Sequence, residues 1–430
     1  MFTPRNGGSS SGRRPSFNRN GSAPRGRTGG SFSRGSTAGR RPFGGNRRGG
    51  GGQRRGAFEG MRIDESKFIN KAIITEEAEH FVPEHKFTDF ALDKVLESNI
   101  VAKGYLNPTP IQDRSIPHLL RGRDIVGIAN TGTGKTAAFL IPLIQKVRLL
   151  PKTQILVVVP TRELAIQIET ELRGFTNKMQ IFSVCCVGGA PIGKQIAGLK
   201  YFNNFVIGTP GRLKDLVERG KITLGNFSTI VLDEADRMLD MGFVNDMRYI
   251  MDKMTKERHT LFFSATLSQE IEVLIKEFLK DPVRISVKTG DTSKNVEQDV
   301  IRVHADDKLD VLHELLNQKE FSKVLVFGKT KHGVEKLSKM LQEKGFKAES
   351  IHGDKSHSQR QRALTSFKAD KAQILVATDV AARGLDIDGV SHVINYDLPM
   401  TYDDYVHRIG RTGRGNKRGK ALTFLPKRAN

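Results

Sequence analysis

Between an apolar run that ends at Ala129 and the helix-forming Ala137-Ala138-Phe139-Leu140 stands Asn130-Thr131-Gly132-Thr133-Gly134-Lys135-Thr136. This composition suits phosphate binding. Glycines let backbone N–H groups close around phosphate oxygens, a following helix N-terminus adds a favourable dipole, Lys135 has the reach for β- and γ-phosphates, and Thr136 can ligate Mg²⁺. Ala129 stands where the general pattern opens on glycine; the order strand, loop, helix sets the segment apart from an ordinary Gly-rich turn. Further along, Ile230-Val231-Leu232 runs into Asp233-Glu234-Ala235-Asp236. Carboxylates at the C-terminal end of a strand lie where open α/β sheets bind ligands. Asp233 is suited to hold Mg²⁺, partly through water, and Glu234 to polarise an attacking water. Alone, such an acidic segment reads as a solvated turn. Beside the Lys135 loop, phosphoryl chemistry is the better reading.

These groups need strands to carry them, and from Met61 onward short apolar runs alternate with amphipathic stretches, the pattern of an α/β fold. The first half predicts strands at Asp124 to Ala129, Gln154 to Val159, Ile181 to Val187, Phe205 to Gly208, Thr229 to Leu232 and Thr260 to Phe263. After the polar stretch Lys288 to Asn295, strands are expected at Lys323 to Phe327, Gln373 to Ala377, His392 to Tyr396 and Ala421 to Phe424. Val334, Leu337 and Leu341 share one face of a helix expected over His332 to Lys344. The expected organisation is two parallel-sheet domains, 87–287 and 296–426, joined by a linker at 288–295. An N-terminal extension covers 61–86, and a disordered tail covers 1–60. No internal repeat is legible.

The chain of 430 residues carries 69 Lys+Arg against 47 Asp+Glu, a formal charge of +22 that asks for a polyanionic partner. Residues 1–60 hold thirteen Arg, no Lys and one acid, Glu59, a local charge of +12. With seventeen Gly and no Leu, Ile or Val, that tail has too little apolar surface to offset the entropy of ordering. Its Arg and its five Phe (Phe2, Phe17, Phe32, Phe43, Phe58) can neutralise phosphates and stack on unpaired bases, which would tether nucleic acid. A solubilising leader or an organelle-targeting peptide are the other readings. Cys185 and Cys186, the only cysteines, are adjacent in an apolar run, which reads as a core strand in a reducing compartment rather than a disulfide framework or zinc site. No apolar stretch approaches the ~18 residues that span a bilayer, and Met1 to Arg13 lacks the apolar centre of a secretory signal. A soluble, cytoplasmic protein without membrane contact is expected. With the last strand close to Asn430, no C-terminal specificity module is expected either.

Over roughly residues 81–426 the sequence closely resembles the DEAD-box RNA helicases, whose name is spelled by residues 233–236. The resemblance implies two tandem RecA-like domains acting on ATP and Mg²⁺. It implies adenine selection by Phe87, seventeen residues before Gly104, and by Gln112 in Pro108-Thr109-Pro110-Ile111-Gln112. A Gln amide can both donate to and accept from the N6/N7 edge of adenine, and an aromatic ring can cover the base; without the family, Phe87 reads as a core residue. It further implies coupling by Ser264 and Thr266 with hydroxyls close to Asp236, joined by His407. Arginine fingers would come from Arg411 and Arg414 in His407-Arg408-Ile409-Gly410-Arg411-Thr412-Gly413-Arg414, and nucleotide contacts from Gly384 and Asp386. The implied RNA contacts are Pro160, Thr161, Arg162, Gly188, Gly189, Thr209, Pro210, Gly211, Arg212, His352, Gly353, Arg360 and Thr378. Small residues, hydroxyls and Arg at loop ends suit phosphate and ribose, including the 2′-OH. One departure is His357, which occupies the Gln position of the family's Gln-x-x-Arg element ending at Arg360.

The activity so implied is ATP-dependent local unwinding of RNA or remodelling of RNA–protein particles, in a core of general bacterial type. Ribosomal precursor particles and RNA-decay proteins are the implied partners. A DNA-directed translocase of the same superfamily and an ATP-independent RNA chaperone are the alternatives; the intact Lys135, Asp233, Glu234, Arg411 and Arg414 speak against the second.

Overall fold

The computed structural model describes residues 68–69, 81–130, 132–287, 296–382, 387, 389–413 and 419–427. The tail 1–60, most of the extension 61–86, the linker 288–295, and Thr131, Gly384, Asp386 and Arg414 lie outside the described residues.

Seven strands build the first sheet: β1 Ile125–Ala129, β2 Ile155–Val158, β3 Ser183–Cys186, β4 Phe205–Gly208, β5 Thr229–Leu232, β6 His259–Ser264 and β7 Val283–Val287. Their order is β3-β4-β2-β5-β6-β1-β7. Six more build the second: β8 Val296–Val303, β9 Val324–Phe327, β10 Ala348–Ile351, β11 Ile374–Ala377, β12 His392–Asn395 and β13 Gly419–Pro426, in the order β10-β11-β9-β12-β13-β8. Every pairing is parallel. Strands such as Ile155-Leu156-Val157-Val158 are buried on both faces because helices cover both sides of each sheet. The helix Lys331–Glu343 buries Val334, Leu337 and Leu341 as its spacing predicts.

Three strands escaped the sequence reading: β7, β8 and β10. All three are edge strands. Val283-Arg284-Ile285-Ser286-Val287 alternates apolar with polar, and Ala348-Glu349-Ser350-Ile351 carries two polar residues, because an edge shares its length with solvent. Cys185 and Cys186 lie in β3 as free thiols, and burial pushes the Cys186 thiol up to about 12.

The extension makes an unforeseen contact. Phe68 is 2 % exposed inside the core of the second lobe, its ring 4.8 Å from that of Tyr405 and nearly perpendicular to it. Residues 84 and 85, by contrast, hold the first lobe through backbone bonds to the Asp113 carboxylate.

Candidate functional site

The phosphate loop leaves β1 and enters the helix Lys135–Leu149 with Gly132 and Gly134 both at positive φ, +82° and +90°, backbone that L side chains rarely adopt. A Cβ at Gly134 would stand 2.4 Å from Gln112 Nε2. That amide donates to the Gly134 carbonyl at 3.1 Å while its oxygen accepts from Thr109 N at 3.0 Å. Gln112 is fully buried, so in this state it braces the loop and the start of its own helix. Thr133 donates to the Asn130 carbonyl at 2.8 Å, and the buried Lys135 ammonium donates to the Ala129 carbonyl at 2.8 Å. Thr136 follows in the first turn of the helix. Phe87 sits within the core, edge-to-face against Phe90 and Tyr105, as its plain reading as a core residue predicts.

β5 ends at the Asp-Glu-Ala-Asp segment, one strand away from β1 with β6 between them. Asp233 N donates to the Val158 carbonyl at 3.0 Å, continuing the ladder. Glu234 then turns into the left-handed region at φ +54°, a conformation costing a non-glycine residue about 1–3 kcal/mol. Two contacts hold it there: its N–H donates to Asp233 Oδ1 at 2.9 Å, and Arg237 Nη1 donates to Glu234 Oε2 at 2.9 Å. Burial raises the Asp233 carboxyl above the ordinary range, while the Lys135 ammonium pulls the other way. A buried carboxylate such as Asp233 and a hydroxyl such as that of Thr136 are hard-oxygen donors, the chemistry that suits Mg²⁺. Asp236 Oδ2 accepts from Ala265 N and Thr266 N at 3.1 Å and from the Thr266 hydroxyl at 3.3 Å. The Ser264 hydroxyl donates to the Thr266 carbonyl at 2.8 Å, so it shapes the turn that presents Thr266.

The loop ends of the first lobe gather the expected RNA residues. Thr161 caps the helix Arg162–Phe175, and the Arg162 guanidinium lies against Gly188 and Gly189. Thr209 and Pro210 open the helix Pro210–Glu218, and Gly211 follows. Arg212 donates to Gln195 Oε1 at 3.0 Å and to the Ala190 carbonyl at 3.3 Å. Arg360, from the second lobe, forms an ion pair with the buried Glu163 at 3.0 Å, a contact that no spacing in the sequence announces.

In the second lobe, Glu335 collects Ser350 Oγ at 2.6 Å, His352 Nε2 at 3.2 Å and the Lys355 ammonium at 3.3 Å. The Ser350 hydrogen bond leads these in holding its carboxyl down at about 2. Gly353 is exposed beside it, and Thr378 caps a short turn with Ala381 and Ala382 donating to its carbonyl. His357 begins the helix His357–Lys368 with its Nδ1 buried and without a partner among the described residues, while Gln359 accepts from Ser356 N at 2.9 Å. Gln359 therefore caps the helix. Arg408 was given no role by the sequence, yet its guanidinium is held at every nitrogen. It grips Asp379 through Nε at 2.5 Å and Nη2 at 2.7 Å, and donates through Nη1 to the Asp397 carbonyl at 2.6 Å. His407 and the buried Arg411 line a small cavity with Arg408 and Asp379.

A buried lysine on a glycine loop, an acidic strand end, and the Asp236 bridge to residues 265 and 266 together describe a nucleotide-driven motor core. The family model described as DEAD/DEAH box helicase matches residues 109–274, and that of the helicase conserved C-terminal domain matches 307–416. The chain is 44% identical over 344 residues to the DEAD-box ATP-dependent RNA helicase CshA of Bacillus subtilis, covering 80% of this chain and 70% of that protein. This chain belongs to the DEAD-box ATP-dependent RNA helicases. The ATP-dependent RNA helicase CshA of Listeria monocytogenes is likewise 44% identical over 80% of this chain and 66% of its own length. Among solved structures, Saccharomyces cerevisiae Dbp5 bound to RNA and ADP BeF3 matches with a TM-score of 0.71 and 30% identity, over 80% of this chain and 90% of that one. The two sheets are thus the RecA-like pair of a DEAD-box helicase. Among the described residues no helix is long and apolar enough to cross a membrane.

Proposed function

We propose that this DEAD-box protein clamps single-stranded RNA when ATP draws its lobes together, separating short duplexes locally, and resets on hydrolysis. The observation that carries the reading is the Asp236 carboxylate, which ties the loop after β5 to residues 265 and 266 after β6, so that the acidic segment and Thr266 are held together. Lys135 would meet the phosphates, with Phe87 and Gln112 near the base. Thr136 and Asp233 would hold Mg²⁺, which when bound neutralises phosphate charge. Glu234 would orient the attacking water; its pairing with Arg237 leaves one carboxylate oxygen for that task. Arg411 and Arg414 would approach the γ-phosphate from the second lobe, stabilising charge as arginine fingers do. Pro160, Thr161, Arg162, Gly188, Gly189, Thr209, Gly211, Arg212, Gly353 and Thr378 would grip phosphate and ribose, and Arg360 would join them on leaving Glu163. Two free thiols suit a cytoplasmic setting.

Glu234→Gln is expected to keep ATP and RNA binding while turnover falls by at least about a hundredfold, the scale on which a positioned acid or base contributes. Steady-state phosphate release with matched RNA and DNA strands tests both halves: wild-type turnover in the variant removes Glu234 from its role, and stimulation by DNA above RNA removes RNA as the substrate.

A further inference from the structure

We propose that the loops at the N-terminal ends of β2, β3 and β4 form a second contact for single-stranded RNA, on the opposite end of the first sheet from the clamp. Two buried asparagines build this surface. Asn204, 2 % exposed, donates through Nδ2 to the carbonyls of Pro151 at 2.8 Å and Thr153 at 3.2 Å, and its Oδ1 accepts from Phe182 N at 3.2 Å. Asn203 Nδ2 donates to the carbonyls of Gly198 and Tyr201, and Gln154 Nε2 donates to the Asn203 carbonyl at 3.2 Å. Segments 148–154, 176–182 and 199–204 are thereby laced into one platform. On it stand Phe182, Tyr201 and Phe202, 56, 78 and 49 % exposed, with Leu149 and Leu150 beside them. Large side chains held in water on a rigid base call for an occupant.

The charge says which. The three segments contain no Asp or Glu, and Lys152, Lys178 and Lys200 are exposed with no ion pair among the described residues. Aromatic faces between uncompensated ammonium groups are what an unpaired polynucleotide uses, bases stacking and phosphates neutralised without sequence preference. The C-terminal ends of the same three strands lead into Pro160–Arg162, Gly188–Gly189 and Thr209–Arg212. β3 is an edge strand, four residues or about 13 Å long, so RNA leaving the clamp reaches the platform by passing one short edge. The inference rests on the RNA reading of those residues.

The test uses the full chain in two forms, Phe182→Ser/Tyr201→Ser/Phe202→Ser and Lys152→Gln/Lys178→Gln/Lys200→Gln, with oligo(U) of about 10 and about 30 nucleotides, the shorter filling only a site of ordinary size. Both variants should bind the shorter RNA, and be stimulated by it, as the wild type is. The aromatic variant should bind the longer RNA about tenfold more weakly, as the loss of one stacked base requires. The lysine variant should lower the slope of log affinity against log salt by about two, at about 0.7 per phosphate contact. Unchanged affinity and slope for the longer RNA overturn the proposal. So does a wild-type dimer that becomes monomeric in either variant, which would assign the surface to a second copy of the chain. Failure of the wild type to bind the shorter RNA in an ATP-dependent way instead overturns the clamp from which the path begins.

Discussion

Gly189 shows how little room a single position leaves. Its φ is +69°, and a Cβ placed there would fall 1.9 Å from an Arg162 guanidinium nitrogen, whereas at Gly188 the nearest such approach is an ordinary 3.7 Å. Gly189→Ala must therefore displace Arg162 as well as strain the turn. It is expected to weaken RNA binding about tenfold or more, the worth of a charge-assisted phosphate contact, while Gly188→Ala stays within about twofold; fluorescence anisotropy with a short RNA distinguishes them. Lys135, Asp233 and Glu234 were legible because their partners are neighbours in sequence. The Glu163–Arg360 pair and the Asp379–Arg408 fork were not, since 197 and 29 residues separate partners that only folding brings together.

At the scale of elements, β6 begins with a buried histidine. His259 Nε2 lies 2.9 Å from the Arg123 carbonyl, its Nδ1 has no partner among the described residues, and burial pushes its pKa down to about 4. The folded chain thus keeps the imidazole neutral, and the unfolded chain protonates it below about pH 6.5. Stability is whole above that pH, declines as pH falls from about 6.5 to about 4, and loses on the order of 3 kcal/mol over that window. His259→Gln, which can still donate to the Arg123 carbonyl, should flatten this part of the profile; urea midpoints measured between pH 7 and pH 4 decide. The element reading found every central strand and the edge strand β3, and missed the other three edges. β2 and β5 are unbroken apolar runs because both faces are covered, but β7, β8 and β10 alternate or carry polar residues, and at sheet edges they resemble loops.

Across the molecule, the N-terminal extension joins what the domain pattern separates. Phe68 fills the second lobe against Tyr405, and Tyr405 in turn donates to Gln298 Oε1 at 2.9 Å, so the ring bears on the helix Tyr402–Ile409 that carries His407 and Arg408. Removing a buried Phe side chain costs about 3–5 kcal/mol where the cavity persists. Phe68→Ala is expected to lower the melting temperature and to quicken amide exchange along Tyr402–Ile409. Unchanged exchange in that helix would mean that the ring merely fills space.

By itself the sequence determined the α/β class, the phosphate loop, the acidic strand end and the family, because each is written in consecutive residues whose chemistry and secondary-structure period can be read locally. Only the tertiary structure decided that Phe68 belongs to the second lobe, that Gln112 braces the phosphate loop, that Arg360 meets Glu163, and that three separate loops lacking any acid share one pair of asparagines. Those outcomes depend on which buried polar groups find partners across the fold, and a hydrogen bond between distant residues leaves no periodic trace in the chain.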